Sequence, residues 1–213
     1  MVDSLILPEH YPTTIAFMRR SRFPAFLFGL IIGLLIVPAS VYFYFRFGYA
    51  PVATGAMAMP FEKTFARMGL HARMDKEYPR NPPIERNDQT YVAGAHIYRE
   101  HCAVCHGVAG QSPTSIAKGM YPTPPQLLDP RHMVTDDPAG ETYWKVANGI
   151  RLTGMPSFHD SLSSTQIWQV SLLLANADKL PGSVNGILGQ LLPKDQNFAA
   201  AESANKRAAT SSH

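Results

Sequence analysis

The apolar positions of this chain fall into separate runs, and each run predicts an element. The longest is Phe23 to Phe45, 23 consecutive positions without a charged side chain. At about 1.5 Å per residue they span roughly 35 Å as a helix, enough to cross a bilayer core of about 30 Å. Pro24 stands at the start, and Pro38 lies inside, where a membrane helix tolerates a kink. Tyr42 and Tyr44 fall near one end, as interfacial aromatics do. Arg19, Arg20 and Arg22 precede the run, against only Arg46 close behind it. The positive-inside rule therefore puts the N-terminus in the cytoplasm and everything after Arg46 outside. A cleaved signal peptide competes with this reading. The run is longer than the usual signal core of about 7 to 15 residues, and the small-residue sites at Ala39 and Ala58 are poorly placed for cleavage. A retained anchor is expected.

The next run is amphipathic. Phe61, Phe65, Met68 and Ala72 recur at helical spacing and line one side of a helix over about 60–74. That side is free to rest on the membrane, on a partner subunit, or on the rest of this chain. Asn81-Pro-Pro-Ile then reads as an extended spacer. Without the helix, residues 46–86 would be a flexible leash with a reach near 35 Å, by the roughly 5–6 Å × √n scaling of such chains.

Beyond the spacer, Tyr91, Ala95 and Tyr98 predict a helix from Asp88 to Cys102, capped by Asn87 or Asp88. Gly94 within it would let another helix approach closely, with Tyr98 packing one turn later. A further helix is expected to start with Asp137 as cap and Pro138 as first helical residue, and to close at Gly149. The last begins at Ser163, where Gln166 three residues on makes a capping-box pattern. Its apolar stripe is Ile167, Val170, Leu173 and Leu174, with Trp168 beside it as a packing residue. After Pro181 there is one short apolar stretch, 187–192, and then an Ala/Ser/Lys tail expected to be largely disordered.

Charge changes this picture little. The chain carries a net +3. Residues 87–181 hold six basic and eight acidic side chains, a net charge of −2, so the positive surplus lies outside them. No basic patch suited to nucleic acid is present.

The chemistry is concentrated in Cys102-Ala103-Val104-Cys105-His106, which contains the only two cysteines. A Cys-x-x-Cys pair serves as a zinc half-site, a thiol redox pair, a plain disulfide or a haem anchor. Structural zinc needs four ligands, and no tight histidine pair stands nearby. A thioredoxin-like site needs a βαβ context, which the flanking helix does not supply. The adjacent His106 instead fits covalent attachment of a c-type haem, with two thiols for two vinyl groups and an imidazole for the iron. The second axial position decides between electron transfer and small-molecule chemistry. Met155 is the candidate, since Gly154 and Pro156 hold it in an extended loop after the helix end at Gly149. Met120, Met133 and His159 are the other candidates for that position. Arg151, Lys118, Tyr143 and Trp144 are candidates for haem propionates.

From about Asn87 to Leu180 these features resemble a class I cytochrome c domain with a single haem. The resemblance rests on Gly94 and Tyr98, the Cys-x-x-Cys-His run, Pro125-Gln-Leu127, the Tyr143-Trp144-Lys145-Val146 helix, the Gly149 to Pro156 loop and the Trp168 helix. It implies an all-α fold around one covalent haem c, with thioether bonds from Cys102 and Cys105 and axial ligands His106 and Met155. It also implies that a proline carbonyl accepts the Nδ1 proton of His106: Pro125, with Pro122 and Pro124 close by.

The chain would then divide into a cytoplasmic N-terminus (1–22), a transmembrane helix (23–45), a linker (46–86), the cytochrome domain (87–181) and a tail (182–213). The expected function is single-electron transfer by a membrane-tethered cytochrome, on the periplasmic side of a bacterial plasma membrane and without enzymatic activity of its own. Expected partners are a quinol-oxidising complex and a terminal oxidase or reaction centre, with the protein either a mobile carrier or a fixed subunit. The alternative is a haem-based gas sensor or peroxidase with an open sixth iron position.

Overall fold

The computed structural model describes residues 23–190, and among these every regular element is helical. The helices are α1 (Phe23–Arg46), α2 (Glu62–Glu77), α3 (Asp88–Ile97), α4 (Ala103–His106), α5 (Ser115–Gly119), α6 (Ala139–Asn148), α7 (Ser164–Leu174) and α8 (Gly182–Leu188). Arg19, Arg20 and Arg22, expected to set membrane orientation, and the tail beyond Gln190 lie outside the described residues. The described residues form two compact units, divided between Ala50 and Pro51.

In the first unit, α1 is long and apolar enough to cross a membrane, contains Pro38, and buries none of its residues. By length and composition it is a candidate membrane anchor.

The second unit is built on α3 and α7. Gly94 is what brings them together: a Cβ there would lie 2.4 Å from the Gln169 carbonyl oxygen and 3.0 Å from Leu173 Cβ. The α7 stripe Ile167, Val170, Leu173 and Leu174 is buried in the main core with Ala95, Ile97 and Tyr98. Trp168 is buried too and stacks on Tyr143 of α6, with centroids 4.5 Å apart and planes at 28°. Asn87 caps α3 through its side chain, which accepts from Thr90 N at 3.0 Å. Ser163 and Gln166 form the full capping box at α7.

Several boundaries differ from expectation. The helix expected to run unbroken to Cys102 stays α-helical only to Ile97, and Tyr98–Cys102 is a π-helical turn. Such turns widen a helix by one residue and recur at functional sites. Helix α6 starts at Ala139, with Pro138 itself in the extended cap conformation, ψ 130. The Asp137 carboxylate, expected to cap, instead faces Lys145 Nζ at 3.8 Å. The boundary at 181 leaves out α8, whose Val184 and Leu188 are buried in the core. The Arg99 guanidinium donates to the carbonyls of Ile187 and Gln190 and ties down that helix end.

Helix α2 is part of this unit rather than a free linker. Met74 is fully buried, and the Trp144 indole donates to Glu77 Oε2 at 3.1 Å. The Pro79 carbonyl fills the place where Gly140 would carry a Cβ. Phe61, Phe65 and Met68 are on the other side and stay 71%, 66% and 60% exposed. The periodicity that predicted the helix thus marked its outward face, and Met74 supplies the docking contact.

Candidate functional site

The Cys-x-x-Cys-His run occupies the π turn and the single turn of α4. Cys102 ends the π turn, Cys105 and His106 close α4, and Gly107 terminates it at φ 73. Both thiols are free. Burial, with the Cys105 charge adding to it, pushes Cys102 up to about 12, and burial also raises Cys105. Among the described residues, no three His, Cys, Asp or Glu side chains converge.

A helix end leaves carbonyls without intrahelical partners. Here side chains from three other segments supply them. Thr114 Oγ1 donates to Val104 O at 2.6 Å, and Gln126 Nε2 donates to Cys105 O at 3.2 Å. The Tyr98 hydroxyl donates to Gly107 O at 2.8 Å and to His106 O at 3.1 Å. The Tyr98 phenol is fully buried, and burial raises its pKa well above the usual 10.0, with the neighbouring Cys102 adding to the effect.

The His106 ring is fixed as firmly as its backbone. Its Nδ1–H donates to the Pro125 carbonyl at 2.8 Å. Of the three prolines in this segment, Pro125 is the one that accepts. The bond leaves Nε2 as the unprotonated ring nitrogen. Burial holds the imidazole below its usual pKa, against the opposing effect of the Pro125 bond. The neutral ring is the form that binds a metal.

Met155 sits on a loop tied back to the end of α6. Gly149, at φ 67, turns the chain so tightly that a Cβ would lie 2.7 Å from the Pro156 carbonyl carbon. Ile150 N donates to Met155 O at 3.1 Å, and Met155 N donates to Thr153 Oγ1 at 3.1 Å. Ser157 Oγ bonds Ala147 O at 2.6 Å, and Phe158 N bonds Val146 O at 3.0 Å. Met155 and Cys102 both pack on the main core, with Leu127, Val134 and Tyr143.

The other residues singled out from sequence have different surroundings. The Met120 methyl group occupies the space where Gly154 would carry a Cβ, so it packs against the loop. Met133 is half-buried and His159 is exposed. Tyr143 and Trp144 are committed to Trp168 and Glu77, while Arg151 and Lys118 are exposed. Sequence reasoning missed Thr114 and Gln126 as donors to α4, and it gave Tyr98 only a packing role. The sole signal was the position of Gln126 directly after Pro125.

Two free thiols three residues apart, an adjacent neutral imidazole with one nitrogen engaged, and a thioether on a tied loop fit a haem c. Residues 89–172 match the family described as cytochrome C oxidase, cbb3-type, subunit III. No curated protein matches the chain. Among solved structures, a chain of the reducing HAO-like protein complex of Kuenenia stuttgartiensis is similar at 23% identity, with a TM-score of 0.40. The match covers 46% of this chain and 48% of that one, so it spans about half of each. Residues 89–172 therefore form a cytochrome c domain of the class I-like kind that this family model describes, which implies haem c and electron transfer.

Proposed function

We propose that this protein is a membrane-tethered monohaem cytochrome that passes single electrons at the outer face of the plasma membrane. One observation carries the reading: His106 offers a neutral ring whose Nδ1 is held by Pro125, next to free Cys105 on α4 and one turn from free Cys102 at the end of the π turn. Cys102 and Cys105 would hold one haem c through thioether bonds, with His106 Nε2 and Met155 as the axial ligands. The bound group would supply a one-electron iron couple, which a thioether ligand raises relative to bis-histidine ligation. Within the chain, Pro125 orients the imidazole, and the tied loop keeps Met155 from swinging aside. Were His106 and Met155 both to hold the iron, electron transfer would be favoured over gas binding or peroxide chemistry.

We favour a fixed subunit over a wandering carrier. The exposed Phe61, Phe65 and Met68 stripe offers a surface for a partner subunit. The partners we favour are a quinol-oxidising complex as donor and a terminal oxidase or reaction centre as acceptor. Charge asymmetry about α1 favours a cytoplasmic N-terminus and a periplasmic haem domain.

The test is spectroscopy and co-purification on the full-length protein from native membranes. The reading expects haem that survives acidic organic extraction, the weak far-red absorbance band of methionine–iron ligation in the oxidised form, and reduction on adding quinol. Rapid carbon monoxide binding by the reduced protein, with that band missing, would instead establish an open sixth position.

A further inference from the structure

The imidazole of His106 hangs between two backbones. One carries it, through Cys105 and His106, and the other, Pro124–Pro125, accepts its Nδ1 proton. The Gln126 carboxamide joins the two. Its Nε2 donates to Cys105 O at 3.2 Å and to Pro124 O at 3.3 Å, using both of its hydrogens. Its Oε1 is buried with no hydrogen-bond partner among the described residues. The surroundings are shaped to this arrangement, since a Cβ on Gly107 would stand 2.0 Å from that oxygen. An apolar side chain of the same length would leave no buried oxygen unpaired. Helix-end carbonyls alone do not account for the residue, because the Pro124 carbonyl belongs to no helix.

We infer that Gln126 is a positioning residue that fixes the hydrogen bond from His106 Nδ1 to Pro125 and, through it, the reduction potential of the domain. This rests on the haem reading given above. A strong bond from Nδ1–H makes the other ring nitrogen a better donor to a metal, and a more basic ligand favours the oxidised iron. The carboxamide holds the Pro124–Pro125 strand against α4 and so keeps that bond short. Gln126 touches neither ring nitrogen and acts only through the two carbonyls.

The test compares full-length holoprotein variants by redox titration and by chemical denaturation. Gln126→Met keeps the length and removes both donors. It should shift the oxidised-to-reduced ratio at fixed potential about tenfold towards reduced, an upward move of about 59 mV for one electron. Gln126→Asn keeps the carboxamide on a shorter arm and should fall between this variant and the wild type, so it decides the matter if the Met variant does not accumulate. Leu188→Ala, a core truncation in α8, should lose stability without moving the potential. A Gln126 variant that loses stability with less than a twofold change in the ratio would show Gln126 to be structural only, as would an equal shift in Leu188→Ala. Wild-type protein without covalent haem would overturn the haem reading itself, and this inference with it.

Discussion

Replacing Gly94 by alanine sets two effects of opposite sign against each other. Alanine is favoured over glycine in a helix interior by about 1 kcal/mol. At Gly94, however, the new methyl group would lie 2.4 Å from the Gln169 carbonyl oxygen and 2.9 Å from its carbonyl carbon. These are backbone atoms of α7, so no rotamer change relieves the contact, and α3 and α7 must move apart. Overpacking of this kind costs about 1–3 kcal/mol, and the rigidity of the obstacle puts Gly94→Ala in the upper part of that range. The net effect is a loss of about 1–2 kcal/mol, or a fall in Tm of roughly 3–7 °C for a unit of this size.

Gly69 in α2 provides the matched control. It too lies inside a helix, but a Cβ there meets nothing within 4 Å. Only the propensity term remains, so Gly69→Ala should gain about 0.5–1 kcal/mol. The assay is denaturant unfolding of the full-length protein in detergent, followed by far-UV circular dichroism, with both variants run against the wild type. Opposite signs are the expected result. A stabilised Gly94→Ala protein would refute the close approach of α3 and α7, and with it the packing role assigned to Gly94.

Tyr98→Phe removes the hydroxyl shared by the His106 and Gly107 carbonyls. It should cost about 1–3 kcal/mol by denaturation, since buried acceptors lose their donor; a loss under about 0.5 kcal/mol would mean that water replaces the phenol. Because the folded pKa of Tyr98 lies above the ordinary value of 10.0, its contribution is complete below pH 10 and lost progressively above it. Denaturation midpoints should therefore fall more steeply above pH 10 in the wild type than in Tyr98→Phe, and identical alkaline slopes would contradict this. Met155→Ala should keep covalent haem but lose the far-red band and gain carbon monoxide binding; an unchanged spectrum would point to Met120 or another ligand. Phe65→Asp, at an exposed position of α2, should leave the melting temperature within a few degrees of wild type yet reduce co-purification of partner subunits from native membranes. Undiminished co-purification would leave the stripe without its assigned partner.

The features legible in the sequence are those that repeat or follow a local rule. Period and capping rules gave α7 with its buried stripe and capping box, α3 with Asn87 as cap, and the helix end at Gly149. The motif likewise marked Cys102, Cys105 and His106 as one group, and a proline rule placed Met155 on a stiff loop. Where the rule was incomplete, the reading slipped by a residue or a face. Pro138 satisfies the φ of a first helical residue, yet its extended ψ delays α6 to Ala139. In α2 the large aromatics dominated the pattern, although one methionine on the opposite side makes the buried contact.

The bonds around His106 belong to a different class. Tyr98, Thr114 and Gln126 each donate to a backbone carbonyl, and every residue has one. Such a bond requires nothing of the side chain at the accepting position, so no residue pair and no period records it. Only the donor's side chain is visible in sequence, and a Tyr, Thr or Gln looks the same there whether it meets water or a carbonyl. The one trace left at the accepting end is negative: Gly107, where a methyl group would collide with the Gln126 carboxamide. Glycines beside a motif are therefore the places to look for a buried side chain that bonds the motif's backbone. By the same reasoning Gly154, filled by the Met120 methyl group, marks the support of the Met155 loop. Gly154→Ala should push Met120 aside and loosen that loop, which weakening of the far-red band would report.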